Sequence, residues 1–120
     1  MKGSESMTAV QNNLWRPICA RADLVPGSGV CALAGGEQVA LFYLPAEARQ
    51  IYALSNRDPI GEANVLSRGV VGDIEGRLVV ASPLYKQHFD LLTGECLEEE
   101  GVQVAVYGIR LDGDTVFIAH

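Results

Sequence analysis

The side chains of this 120-residue chain that could do chemistry gather in two short stretches. One is N-R-D-P-I-G-E-A-N-V-L-S, residues 56–67, with Asp58 near its start. The other is S-P-L-Y-K-Q-H-F-D, residues 82–90, with Ser82, Tyr85 and His88. A carboxylate, a hydroxyl, a phenol and an imidazole are ingredients of acid–base or nucleophilic catalysis when they converge within hydrogen-bond reach. The same groups on two facing loops can instead bond one loop to the other, and this staple is the reading the residues favour. A metal centre has little to draw on. The chain has two His, His88 and the terminal His120, and no Cys stands near either in sequence.

Both stretches need a scaffold, and the chain between and around them reads as β structure. Strands are expected over Leu14–Ala20, Val30–Leu33, Gln38–Leu44, Gln50–Leu54, Val70–Ile74, Arg77–Ala81, Phe89–Leu92, Val102–Leu111 and Thr115–Ala119. Gly35-Gly36, Glu75-Gly76 and Asp112-Gly113 mark tight hairpins, the last expected as a type I′ turn. Arg21–Gly29 reads as a turn or single helical turn. Only P-A-E-A-R-Q (45–50) and L-E-E-E (97–100) could hold a further turn or two of helix. The fold class is therefore all-β, a small antiparallel sandwich of short strands with little helix. The polar segment 56–67 lies between two firm strands, and a loop of that length in a small domain is usually functional.

Composition narrows the functions. Hydrophobic residues make up 48% and charged residues 20%, the balance of a globular domain. The net charge of −6, with nine scattered basic residues, argues against nucleic acid, whose affinity comes from Lys and Arg on phosphates. No apolar run approaches the ~20 residues of a membrane helix. Residues 1–13 lack an apolar signal core and read as a frayed polar tail, with Met7 a second candidate start, so the domain is expected over 14–120. Cys19, Cys31 and Cys96 are odd in number and fit neither a disulfide framework nor a C-x-x-C zinc pair. They read as reduced thiols of a cytoplasmic protein. No nucleotide-binding glycine motif is present.

The two stretches together resemble the paired loops of a Rieske iron–sulfur domain. That family carries C-x-H in the first loop and C-P-x-H in the second, followed by F-D and a T-G turn. Pro83, Phe89, Asp90, Thr93 and Gly94 match the frame of the second box. The four cluster-ligand positions then fall on Asp58, Ile60, Ser82 and Tyr85, and 21 residues lie between Ile60 and Ser82, a longer spacer than usual. A Rieske centre needs two thiolates and two imidazoles. Ile60 offers no lone pair, Asp58 is a hard oxygen donor, and Ser82 would have to ionise an alcohol. No [2Fe–2S] cluster is expected in this chain.

A ligand-less Rieske domain with D-P-I and S-P-L-Y in its loops is similar to the small subunits of assimilatory NAD(P)H-dependent nitrite reductases. The resemblance implies a cytoplasmic accessory subunit without catalytic residues of its own. Its partner would be a large subunit carrying FAD, sirohaem and a [4Fe–4S] cluster, which reduces nitrite to ammonium in nitrate assimilation. The face of the two loops, with Ile60, Leu84, Tyr85 and His88, is the expected docking surface. Ile60, expected to be buried, should contribute more stability than the Ser82 hydroxyl. The alternative is a free-standing Rieske-type electron carrier or ligand-binding β domain.

Overall fold

A computed structural model describes residues 15–119. Leu14, the expected tail of residues 1–13 and His120 lie outside the described residues. The strands are β1 (Trp15–Ala20), β2 (Ser28–Ala34), β3 (Glu37–Tyr43) and β4 (Ile51–Ser55). A two-residue ribbon follows, β5 (Arg57–Asp58) with β6 (Ala63–Asn64). Then come β7 (Val70–Ile74), β8 (Arg77–Ala81), β9 (His88–Asp90), β10 (Gly108–Asp112) and β11 (Thr115–Ala119). Single 3-10 turns occupy Arg21–Asp23 and Leu66–Arg68.

All the strand pairs are antiparallel, in three-stranded sheets ordered β1-β11-β10, β2-β3-β4 and β7-β8-β9. The β2-β3-β4 sheet is the middle layer. Ala40, Phe42, Tyr52 and Leu54 face one core with Val80, Phe89 and Leu91. Val39, Leu41, Ile51 and Ala53 face a second core with Ile109, Val116 and Ile118. Burial on both faces is why V-A-L-F in β3 and I-Y-A-L in β4 run apolar without alternating. Two cores flanking one sheet give a thicker body than a two-sheet sandwich, and the third layer carries the second loop.

The hairpin turns follow their sequence signals with one correction. At Glu75-Gly76 both central residues have positive φ (52° and 85°), as a type I′ turn requires. Asp112, by contrast, is the last residue of β10 and pairs with Thr115. The turn there is Gly113-Asp114, with positive φ only at Gly113 (63°), which is the II′ pattern.

Three further expectations are corrected. Val102–Leu111 is not one strand: β10 begins at Gly108, and residues 102–107 cross between the two cores. Val104 N donates to Gly94 O, Ser55 N to Ala105 O and Tyr107 N to Ala53 O, so this segment lends its bonds to three different neighbours. Pro45–Gln50 and Leu97–Glu100 form turns and bends rather than helix. The strand expected over Phe89–Leu92 is instead His88–Asp90, because Leu91 to Thr93 turn around Asp90.

Candidate functional site

The first loop winds around Asp58. Its Oδ1 accepts the backbone N–H groups of Ile60 (2.8 Å) and Gly61 (3.1 Å), and its carbonyl accepts Glu62 N at 2.7 Å. Asp is suited to this because its short side chain reaches its own backbone two residues on. The second loop winds around Ser82 in the same way. Its hydroxyl oxygen accepts Leu84 N (3.3 Å), its carbonyl accepts Lys86 N (3.1 Å), and its N–H donates to Gln87 O (2.9 Å).

One bond joins the loops. The Ser82 hydroxyl donates to Asp58 Oδ2, across 24 residues of sequence, and both residues are fully buried. Each loop thereby supplies what the other leaves unsatisfied. Above the bond, Leu84 of the second loop lies on Gly61 of the first, so closely that a Cβ on Gly61 would overlap Leu84 Cδ1. The absence of a side chain at Gly61 lets the loops close. Ile60 is half-buried and packs against the core that holds Phe42 and Phe89.

The other candidates lie apart from this pair. Tyr85 is 65% exposed and Leu84 42%. His88 turns to Glu98: its Nδ1 is 2.6 Å from Glu98 Oε2, and its backbone N–H donates to Oε1 at 2.7 Å. Burial pushes the Glu98 carboxyl up, but the His88 N–H and ring outweigh it and hold the group below its usual range. Asp58 and Ser82 are thus brought together, while Tyr85 and His88 are not.

Asp90, in the F-D that follows the second loop, repeats the Asp58 arrangement. Its Oδ1 accepts Leu92 N (2.7 Å) and Thr93 N (3.0 Å), and Gly94 N donates to its carbonyl at 2.8 Å. Its Oδ2 receives Arg77 Nε at 2.8 Å, where that of Asp58 receives Ser82. Burial alone would raise the Asp90 pKa; the Thr93 amide, Arg77 and the Leu92 amide outweigh it and hold the carboxyl below its ordinary value. Asn56 was invisible as a site residue, read only as part of a polar loop. It is 2% exposed and ties the loop base to β3. Its Oδ1 accepts Ser67 N at 2.7 Å, and its Nδ2 donates to Gln38 Oε1 at 3.0 Å. An Asn opening a turn-rich stretch was the available signal.

The model of the Rieske-like [2Fe-2S] domain family matches residues 14–119. The small subunit of the NADH nitrite reductase of Salmonella typhimurium is 50% identical over 102 residues, covering 85% of this chain and 94% of that protein. The chain belongs to the Rieske-like family of nitrite reductase small subunits. The solution structure of the family member from Erwinia carotovora, an NAD(P)H nitrite reductase small subunit, superposes with a TM-score of 0.73 at 44% identity, covering 89% of this chain and 82% of that one. In Klebsiella oxytoca the relative is part of the NAD(P)H nitrite reductase large subunit: 35% identity over 112 residues takes in 93% of this chain and 11% of that protein.

In this chain the residues on which the Rieske loop pattern falls, Asp58, Ile60, Ser82 and Tyr85, do not suit the cluster in the family's description. Asp58 and Ser82, which that pattern sets at its thiolate positions, spend their lone pairs and proton on each other and on loop amides. Ile60 is a hydrocarbon, and Tyr85 projects toward solvent. Among the described residues no group of three His, Cys, Asp or Glu is placed to hold a metal ion. Cys19, Cys31 and Cys96 are free thiols, and none stands at these positions. Among the described residues no helix is long and apolar enough to cross a membrane.

Proposed function

We propose that this chain is the accessory small subunit of a cytoplasmic NAD(P)H nitrite reductase that turns nitrite into ammonium in nitrate assimilation. It holds no [2Fe–2S] cluster and no catalytic residue. Flavin, sirohaem and the [4Fe–4S] cluster belong to the large subunit. The observation that carries the cluster-free reading is the buried Asp58–Ser82 bond, which occupies the two thiolate positions with a carboxylate and an alcohol already satisfied by protein donors and acceptors. A hard carboxylate and an un-ionised hydroxyl make poor ligands for a cluster iron. The relationship to nitrite reductase small subunits supports the partner, and the large subunit that contains such a domain within its own chain supports direct association of the two.

The docking face in this proposal is that of the two loops, with Ile60, Leu84, Tyr85 and His88. Exposed Tyr85 and Leu84 are the anchors, since aromatic and apolar side chains on an ordered loop are what binding hot spots are built from. The loops that a cluster would tie together are tied instead by the staple, so the surface is preorganised. Co-expression with the large subunit tests the reading. The chain should co-purify with it and add no iron beyond that of the large subunit. Two irons per chain and broad visible bands would turn it into an electron carrier, and failure to associate would remove the accessory role.

A further inference from the structure

A furrow runs beside the β7–β8 hairpin, away from the two loops. Its apolar end, about 540 Å³, is lined by Pro26, Leu44, Pro45, Val71 and Leu78. Its polar end, about 260 Å³, is lined by Tyr52, Glu47, Asp73, Arg77 and Asp90. Glu47, Asp73 and Leu78 border both, so the two ends adjoin. Tyr52 is 6% exposed, yet no hydrogen bond to its hydroxyl is formed among the described residues. Tyr52 borders the polar end, and its hydroxyl is not among the sealed polar atoms that lack a partner. Arg77 is engaged by Asp90 and Glu95, and Arg49 lies over the Tyr52 ring at 5.2 Å. Glu47 and Asp73 are left to give the polar end its negative character.

The open edge of β7 flanks the same furrow. In the sheet order β7-β8-β9 it pairs only with β8. The two-residue turn makes Ile74–Arg77 a hydrogen-bonded pair, so along β7 the N–H and C=O of Val71 and Asp73 point outward. An unpaired edge beside an apolar groove is the arrangement used for binding an extended segment.

We infer that this furrow takes an extended segment of the reductase large subunit, with an apolar side chain in the Leu44–Val71–Leu78 end and the adjacent Lys or Arg head group between Glu47, Asp73 and the Tyr52 hydroxyl. This rests on the proposed association with the large subunit and extends it to a second contact. A stable interface needs roughly 800 Å² per partner, more than Leu84 and Tyr85 alone provide. The furrow borders the β7–β8 hairpin and the second loop continues from the end of β8, so both lie within the footprint of one partner. Charge decides the segment's chemistry: a cation enters a pocket where Glu47 and Asp73 are the carboxylates that no arginine engages. Burial, with Glu47 and then Asp90, holds the Tyr52 phenol protonated above its ordinary range despite Arg49.

The test titrates the purified large subunit with the unaltered chain, with Tyr52→Phe and with Glu47→Gln/Asp73→Asn, at low and high salt. Asp73→Asn keeps the acceptor that Gly76 N uses at 3.0 Å, so the hairpin turn survives. Melting temperature and solution size of each variant are recorded alongside. Dissociation constants about tenfold weaker for the double variant at low salt, with much of the salt dependence gone and the fold intact, are expected. Tyr52→Phe should weaken binding severalfold. Binding equal to the parent for both folded variants overturns the inference and leaves the association standing. A change in the chain's own oligomeric state with unchanged large-subunit binding gives the furrow to a second copy and also overturns it. No binding by the unaltered chain removes the association itself.

Discussion

Replacing Ser82 with Ala removes one hydroxyl and leaves no cavity, so its effect isolates the bond between the loops. Asp58 is fully buried and its Oδ2 has no other donor among the described residues, and Leu84 N loses its acceptor. Leaving a buried polar group unsatisfied costs about 1–3 kcal/mol, with charged groups at the upper end, so about 2–3 kcal/mol is expected here. For a domain of this size 1 kcal/mol corresponds to about 4–5 °C, which puts the fall in melting temperature at roughly 8–15 °C. Calorimetry on the parent, Ser82→Ala, Asp58→Ala and the double variant measures both the loss and its coupling. A buried bonded pair should couple by about 1–3 kcal/mol. Strict additivity, or a Ser82→Ala loss below about 0.5 kcal/mol, would refute the view that this bond holds the loops.

Ile60→Ala should cost less than Ser82→Ala, about 1–2 kcal/mol by thermal melting, because Ile60 is only half-buried whereas the Asp58–Ser82 pair is sealed. This reverses the order expected from residue types alone. Asp90 has a folded pKa below its unfolded value near 4, so its contribution is complete above that value and is lost as pH falls through the folded pKa. Asp90→Asn should therefore be less stable than the parent at pH 7, and its melting temperature should fall less steeply below pH 4. Gly94→Ala should destabilise by more than ~2 kcal/mol in denaturant titration, since φ is +82° and a Cβ would overlap Val104 O. Tyr85→Asp should leave the melting temperature nearly unchanged while weakening large-subunit binding by at least ~2 kcal/mol in calorimetric titration.

What was legible in the sequence is what depends on local chemistry. The hairpins at Gly35-Gly36 and Glu75-Gly76 are readable because positive φ admits few residues. The pairing of Asp58 with Ser82 follows from two polar residues standing where a family frame needs facing loops. The errors arise where long-range packing decides. Residues 102–107 alternate like a strand, but alternation there serves two different cores, with Val104 in one and Tyr107 against the other. The ring partner of His88 was likewise not legible, because Glu98, ten residues on, reaches it only in the folded chain. The turn signal at Asn56 did not reveal its burial, nor did the sequence show the cavity beside Tyr52, because both are properties of the assembled sheets.

The measurement that bears most directly on the account is nitrite-dependent NAD(P)H oxidation by the large subunit as this chain is titrated in. The account predicts that activity rises and saturates near one chain per large subunit, the ratio in the Klebsiella oxytoca protein where one polypeptide holds both, with the chain itself free of iron. Activity indifferent to the chain, or a rise only when the chain has been loaded with two irons, would contradict it.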